Sequence, residues 1–259
     1  MLSKSQISFV TSLHQKKFRK QEQVFIAEGE KVMIDLLASP FTVQKIFATE
    51  FYFEKYRHLK IPSSTECISV TETELKKISV LTTPNEVLSI VEIPSFEIPG
   101  SELKNLLTLV MDNISDPGNL GTIIRIADWF GIKNIICSTD TADCYNPKVV
   151  QASMGSLFRI KVHYTELPVF LERNNQQDKI PVYGTTLNGE NIYSSELSAH
   201  GFILMGSEST GIRKELNKYT SRSLFIPSFS SGENPAAPDS LNVAVATAIV
   251  CAEFRRRQA

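Results

Sequence analysis

The sequence predicts two α/β units, the second a mostly parallel sheet with helices on both faces. Two patterns predict it. Short apolar runs alternate with segments whose apolar residues recur at helical spacing, the mark of strands joined by crossover helices. The C-terminal runs LLTLVMD at 106–112, NIICS at 134–138, FILMG at 202–206 and SLFIP at 223–227 are largely apolar rather than alternating, as strands buried on both faces are. At 259 residues, 42% apolar and 21% charged, the chain has a globular composition and room for one large or two ordinary domains.

In chain order, residues 29–37 have helical spacing, VQKIFAT at 43–49 reads as a strand, 51–57 as a short helix and CISV at 67–70 as a strand. Thr71 and Glu74 stand in capping-box positions and start a helix to Ile78. EVLSIVEI at 86–93 closes the first domain, 1–93. Pro94, Pro99 and Gly100 mark 94–104 as an extended linker that keeps the two domains spaced. The second domain, 105–259, begins with the strand at 106–112, a helix after Asn119 that Gly131 ends, and the strand at 134–138. A helix from about Lys148, PVYGTTL at 181–187 and the strands at 202–206 and 223–227 follow. A long terminal helix closes the chain, with Ser240 as its cap and Asn242 in its first turn.

Several classes are excluded. Runs such as 106–111 and 243–252 fall short of the roughly 20 apolar residues that cross a bilayer. The N-terminus lacks the apolar core of a secretory signal, so a cytoplasmic protein without a membrane partner is expected. Cys67, Cys137, Cys144 and Cys251 have no Cys-x-x-Cys spacing, and the four histidines are scattered, so no metal is assigned. A dinucleotide-binding oxidoreductase would need a Gly-x-Gly-x-x-Gly after a strand. SESTG at 207–211 approaches the nucleophile elbow of α/β-hydrolases, but Ser207 replaces its first Gly and no His follows Ser209. The net charge of −1 does not mark a nucleic-acid binder. Locally, however, Lys16, Lys17, Arg19 and Lys20 crowd around Phe18, and Arg255, Arg256 and Arg257 cluster near the C-terminus, as phosphate contacts or as solvated helix ends.

Ligands of parallel sheets sit beyond the carboxyl ends of the strands, which selects the loops 112–119, 185–191, 206–211 and 226–242. In DNISDPGNLGTIIRIADWFG at 112–131, Leu120, Ile123, Ile124, Ala127 and Phe130 form one buried helix face. Asn119 and Gly121 fall at the loop-to-helix junction, where free N–H groups attract anions or carbonyl-rich ligands. Arg125 shares the polar side with Gly121, Thr122 and Asp128. Taken alone, the stretch is equally a capped amphipathic helix. Gly206 permits close backbone approach. Glu208 suits hydrogen bonds from a ligand, a cation such as Arg125, or the cap of a helix beginning near Gly211.

Together, Asn119-x-Gly121-x-x-x-Arg125, LMGSESTGI at 204–212, and Ile226-Pro227 with SLNVAVATAI at 240–249 resemble the three signature motifs of the SpoU (TrmH-like) branch of the SPOUT RNA methyltransferases. Order and spacing match over essentially the whole second domain. KKFRKQEQVFIAEG at 16–29 looks like part of the substrate-binding domain found before many SpoU catalytic domains, a small α/β fold shared with RNA-binding ribosomal proteins. The resemblance implies S-adenosylmethionine-dependent methylation of a ribose 2′-hydroxyl in structured RNA. Ribosomal RNA is expected, by analogy, because a separate substrate domain is present. Transfer RNA methylation, or an RNA-binding protein that has lost catalysis, is the alternative; intact Asn119, Arg125, Glu208, Ser240 and Asn242 speak against the latter. It also implies a deep trefoil knot and a homodimer through the catalytic domain.

Carried over by position, Arg125, Asn119, Glu208, Ser240 and Asn242 are the catalytic set. Thr185, Gly206, Ser207, Glu208, Ile226 and Leu241 would hold S-adenosylmethionine, and Lys16, Lys17, Arg19 and Lys20 would contact RNA. Family mechanisms propose the arginine matching Arg125 as the base. A free arginine keeps its proton to about pH 12.5 or higher, so a clamp on the target phosphate that also stabilises the developing alkoxide is the better expectation. Two departures stand out: SFSSGENPAAPD at 228–239 is longer than the usual family loop, and Gln151 stands where related sequences often carry Arg.

Overall fold

A computed structural model describes residues 1–230 and 240–258, so most of the 228–239 loop lies outside the described residues. The chain forms two compact units, Met1–Ser95 with Asp143–Arg159, and Phe96–Ala142 with Ile160–Ala259.

The first unit opens with α1 (Lys4–Ser12), started by a capping box between Ser3 and Gln6, and continues with α2 (Lys16–Glu22) and β1 (Val24–Glu28). There follow α3 (Glu30–Leu37), β2 (Val43–Ala48), α4 (Glu50–Lys55), β3 (Glu66–Ser69), α5 (Glu72–Ile78) and β4 (Val87–Glu92). Thr71 caps α5 through the capping box with Glu74 that its spacing predicts. The sheet order is β1-β4-β2-β3, with β4 antiparallel to both β1 and β2 and β3 parallel to β2. Leu13, Ile26, Phe47, Leu75, Leu88 and Ile90 pack as one core between helices and sheet.

In the second unit come β5 (Leu107–Met111), α6 (Pro117–Trp129) and β6 (Asn134–Ser138). The chain then passes into the first unit, where α7 (Pro147–Ser153) lies, although the sequence places this stretch in the second domain. Its aromatic and charged residues explain the difference: Tyr145 packs on Phe25 at 4.7 Å between ring centroids, and Phe158 on Phe41 at 5.3 Å. Asp143 ion-pairs with Arg19 at 2.6 Å.

The chain returns as β7 (Lys161–Thr165), α8 (Leu167–Arg173), β8 (Val182–Asn191), β9 (Gly201–Met205), β10 (Arg222–Phe225) and α9 (Val243–Arg256). β7 is an edge strand with an exposed Lys161 and half-buried ends, which hides it from a search for apolar runs. The six strands lie in the order β10-β8-β9-β5-β6-β7, every neighbouring pair parallel. β5, β6 and β9 are buried along their whole length, as helices covering both faces require. Among the described residues no helix is long and apolar enough to cross a membrane.

Candidate functional site

Two local signals start α6 earlier than expected. Asp116 is its N-cap and accepts the Asn119 N–H at 2.7 Å, while Pro117 holds the first helical position. Gly121 is therefore buried inside the helix, and Asn119 presents its side-chain amide rather than a free N–H. At the other helix, Asn242 rather than Ser240 is the cap of α9: its Oδ1 accepts the N–H groups of Ala244 and Val245 at 3.0 and 3.3 Å. Ser240 lies exposed two residues earlier.

Glu208 joins these two helix starts. Its Oε1 accepts from Asn119 Nδ2 at 3.0 Å, Asn242 Nδ2 at 2.7 Å and the Val243 N–H at 3.2 Å. Asn242 Nδ2 also donates to Asn119 Oδ1 at 2.9 Å. The carboxylate thus sits at the N-terminus of α9, where the helix dipole favours negative charge. It caps α9 and not a helix near Gly211, where the chain forms a short 3-10 helix only from Lys214.

Arg125 stays outside this cluster. It is exposed and lies six residues beyond Asn119, about 9 Å along the axis at 1.5 Å per residue. Its side chain stands on the solvent side of α6, away from the buried face of Leu120, Ile123, Ile124 and Ala127. Of the roles open to Glu208, the cap is the one its Oε1 fills, with three donors from α6 and the start of α9.

The loop carrying Glu208 folds on itself. A Cβ at Gly206 would stand 2.1 Å from the Gly211 carbonyl carbon and 2.2 Å from Ile212 N, so only glycine fits. The Gly211 N–H donates to Ser207 O at 2.8 Å, and the Ser207 hydroxyl accepts the Thr210 N–H at 3.2 Å. Thr185, half-buried on β8, donates its hydroxyl to Leu204 O at 3.1 Å. Half-buried Ile226 follows β10, and Leu241, 45% exposed, precedes α9. Neither Asp112 nor Arg213 is evident from sequence spacing, yet Arg213 donates to buried Asp112 through both its N–H and Nε. The one available signal was an acid directly after an apolar strand.

In the first unit Lys16, Lys17 and Lys20 are exposed on α2. Arg19 is not available to RNA, which corrects its assignment: it is 1% exposed. Its Nε and Nη2 donate to Asp143 Oδ2 at 3.2 and 2.6 Å, and Nη1 to the carbonyls of Leu13 and His14 at 2.8 and 3.0 Å. The C-terminal arginines are anchored too. Arg255 donates to Phe130 O, Arg257 to Ile192 O and Tyr193 O, and Arg256 pairs with Glu253.

The SpoU rRNA Methylase family profile matches residues 106–252, more than half of the chain, and the Asn119, Glu208 and Asn242 segments all lie inside the match. The chain belongs to the SpoU rRNA methylase family. The MRM3-like substrate binding domain matches residues 4–89. Among relatives of this SpoU protein, the 23S rRNA (guanosine(2553)-2′-O)-methyltransferase of Bacillus subtilis is 30% identical over 248 residues, covering 94% of this chain and 93% of that one. A solved structure from Porphyromonas gingivalis, assigned to the TrmH family of RNA methyltransferases, matches with a TM-score of 0.87 at 36% identity over 99% of both chains. The AdoMet-bound rRNA methyltransferase of Sinorhizobium meliloti matches at TM-score 0.86 and 28% identity, over 100% of this chain and 97% of that one.

Proposed function

We propose that this SpoU protein methylates a ribose 2′-hydroxyl of ribosomal RNA with S-adenosylmethionine. The observation that carries it is the Asn119–Glu208–Asn242 cluster, which brings all three family motifs to one point beyond the strand ends. The surrounding residues fit the cofactor: half-buried apolar Ile226 and exposed Leu241 suit adenine, and the hydroxyl-rich turn 206–211 suits ribose and the amino-acid end. When bound, S-adenosylmethionine supplies a methyl group on a positively charged sulfur.

The chain's own residues orient and neutralise. Asn119, Glu208 and Asn242 fix the starts of α6 and α9 against the Gly206 loop, so that Thr185, Gly206, Ser207, Ile226 and Leu241 would hold the cofactor and Ser240 would serve the incoming ribose. Alignment of the hydroxyl behind the scissile bond contributes roughly 7–11 kcal/mol. Arg125, exposed on the polar side of α6, clamps the phosphate of the target nucleotide and stabilises the developing alkoxide. The proton leaves to phosphate or water.

Lys16, Lys17 and Lys20 supply phosphate contacts on the substrate-binding unit, with RNA shape giving selectivity. A homodimer through the catalytic unit would use the packed helices α6 and α9, which expose Trp129 and Val245. The knotted threading belongs to this reading through the family resemblance. The protein is read as cytoplasmic. Mapping ribose methylation in RNA from cells with and without the gene tests the function. A ribosomal site lost with the gene is expected, and an unchanged ribosomal map overturns it.

A further inference from the structure

We propose that Asp112 and Arg213 form a strut that positions the Glu208 loop and, through it, the S-adenosylmethionine site; this rests on the methyltransferase reading above. Asp112 is the first residue after β5 and is fully buried. Its N–H donates to Met205 O at 2.9 Å, continuing the β5–β9 ladder and setting Asp112 beside Gly206. Oδ2 accepts the Arg213 backbone N–H at 2.8 Å and Oδ1 the Arg213 Nε–H at 2.6 Å. One residue thus closes on both carboxylate oxygens, once with main chain and once with side chain. A buried carboxylate is strongly unfavourable without such pairing. Arg213 Nη1 also lies 4.0 Å from Asp140 and 3.8 Å from Glu215, so the guanidinium reaches the loop after β6 as well.

The loop from Gly206 to Arg213 is consequently pinned at both ends. Gly206 is held by close packing against Gly211 and Ile212, and Arg213 by Asp112. Between them the Ser207 hydroxyl bonds those of Ser209 and Thr210, and among the described residues Glu208 reaches out, to α6 and α9. Three donors within 3.2 Å of one oxygen tolerate little displacement. Asp112 and Arg213 touch no reacting atom; they are positioning residues. Lysine at 213 would keep the charge and the backbone N–H but offers no donor at the Nε position. Asparagine at 112 would turn one acceptor into a donor facing an N–H.

The test is titration calorimetry and steady-state kinetics on the full chain, its Arg213→Lys and Asp112→Asn variants, and Glu208→Gln alone and combined with Arg213→Lys. Arg213→Lys and Asp112→Asn are each expected to weaken S-adenosylmethionine binding about tenfold or more, with the KM for RNA unchanged. In the Glu208→Gln background the Arg213→Lys loss should shrink to about twofold, because both act through the same loop. Binding within about twofold of wild type in Arg213→Lys overturns the strut, as do losses that simply multiply in the double variant. Should Asp112→Asn fail to fold, Arg213→Lys, which leaves Asp112 its main-chain donor, carries the test. If the wild-type protein binds no cofactor at millimolar concentration, the methyltransferase reading fails, and the strut with it.

Discussion

Arg19 on α2 and Arg125 on α6 are arginines on short amphipathic helices, yet the first unit seals one in and the second leaves the other open. Arg19 is given a carboxylate and two helix-end carbonyls, so four of its five donors find protein acceptors and its charge becomes part of the core. Arg125 instead lies exposed on α6, while Glu208 Oε1 binds two asparagine amides and a helix N-terminus. A guanidinium supplied with protein acceptors holds structure. One exposed at the surface can reach a ligand phosphate.

The largest effect expected from this contrast is on stability. Arg19→Met keeps the bulk but leaves Asp143 without its cation; urea unfolding should show a loss of about 3–5 kcal/mol. If instead stability is unchanged and RNA affinity falls, Arg19 faces the substrate after all. Next comes Arg125→Lys, which keeps the charge and loses the planar fork. A fall in kcat of about 100-fold with unfolding unchanged to about 0.5 kcal/mol is expected. Activity near wild type would count against both the clamp and the base role. Smaller again, replacing Lys16, Lys17 and Lys20 by alanine should flatten the salt dependence of RNA binding by about 1 in log–log slope per lysine, leaving kcat on saturating RNA intact. A slope that does not change removes α2 from the RNA surface.

The smallest effect concerns the anchored C-terminus, the third basic stretch. The hydrogen bond from Arg256, joined by that from Arg257, holds the Glu253 carboxyl down to about 2 from its ordinary 4.5. A carboxyl depressed in the folded state stabilises above its unfolded pKa. That contribution is complete above about pH 4.5 and is lost as pH falls through about 2. Glu253→Gln should flatten acid unfolding across that window, and an unchanged acid limb would mean that the cluster is idle.

Much of this was legible in the sequence where a residue's role is local or lies at a strand end. Asn119, Glu208 and Asn242 each stand just beyond an apolar strand or at a helix start, and a parallel sheet necessarily gathers such positions along one edge. Thr71 and Gly131 mark helix boundaries through backbone chemistry that needs no distant partner. What was hidden depends on long-range partners. Arg19 reads as a surface cation because the acid that buries it lies 124 residues away. Arg213 reads as one more charged loop residue because Asp112, 101 residues earlier, is invisible as its partner. Residues 143–159 look like part of the second domain because the rings that draw Tyr145 and Phe158 into the first unit come from Phe25 and Phe41. The helix expected after Asn119 starts at Pro117 for a local reason: Asp116 caps it and proline suits the first helical position.

The central claim is that Asn119, Glu208 and Asn242 assemble a site for methyl transfer to ribose. Its most direct test is to incubate the purified chain with methyl-labelled S-adenosylmethionine and unmodified ribosomal RNA, then digest the RNA to nucleosides. Label in a single 2′-O-methylnucleoside, reduced about tenfold or more by Glu208→Gln, is the predicted result. Label on a base, or transfer by Glu208→Gln equal to wild type, would contradict it.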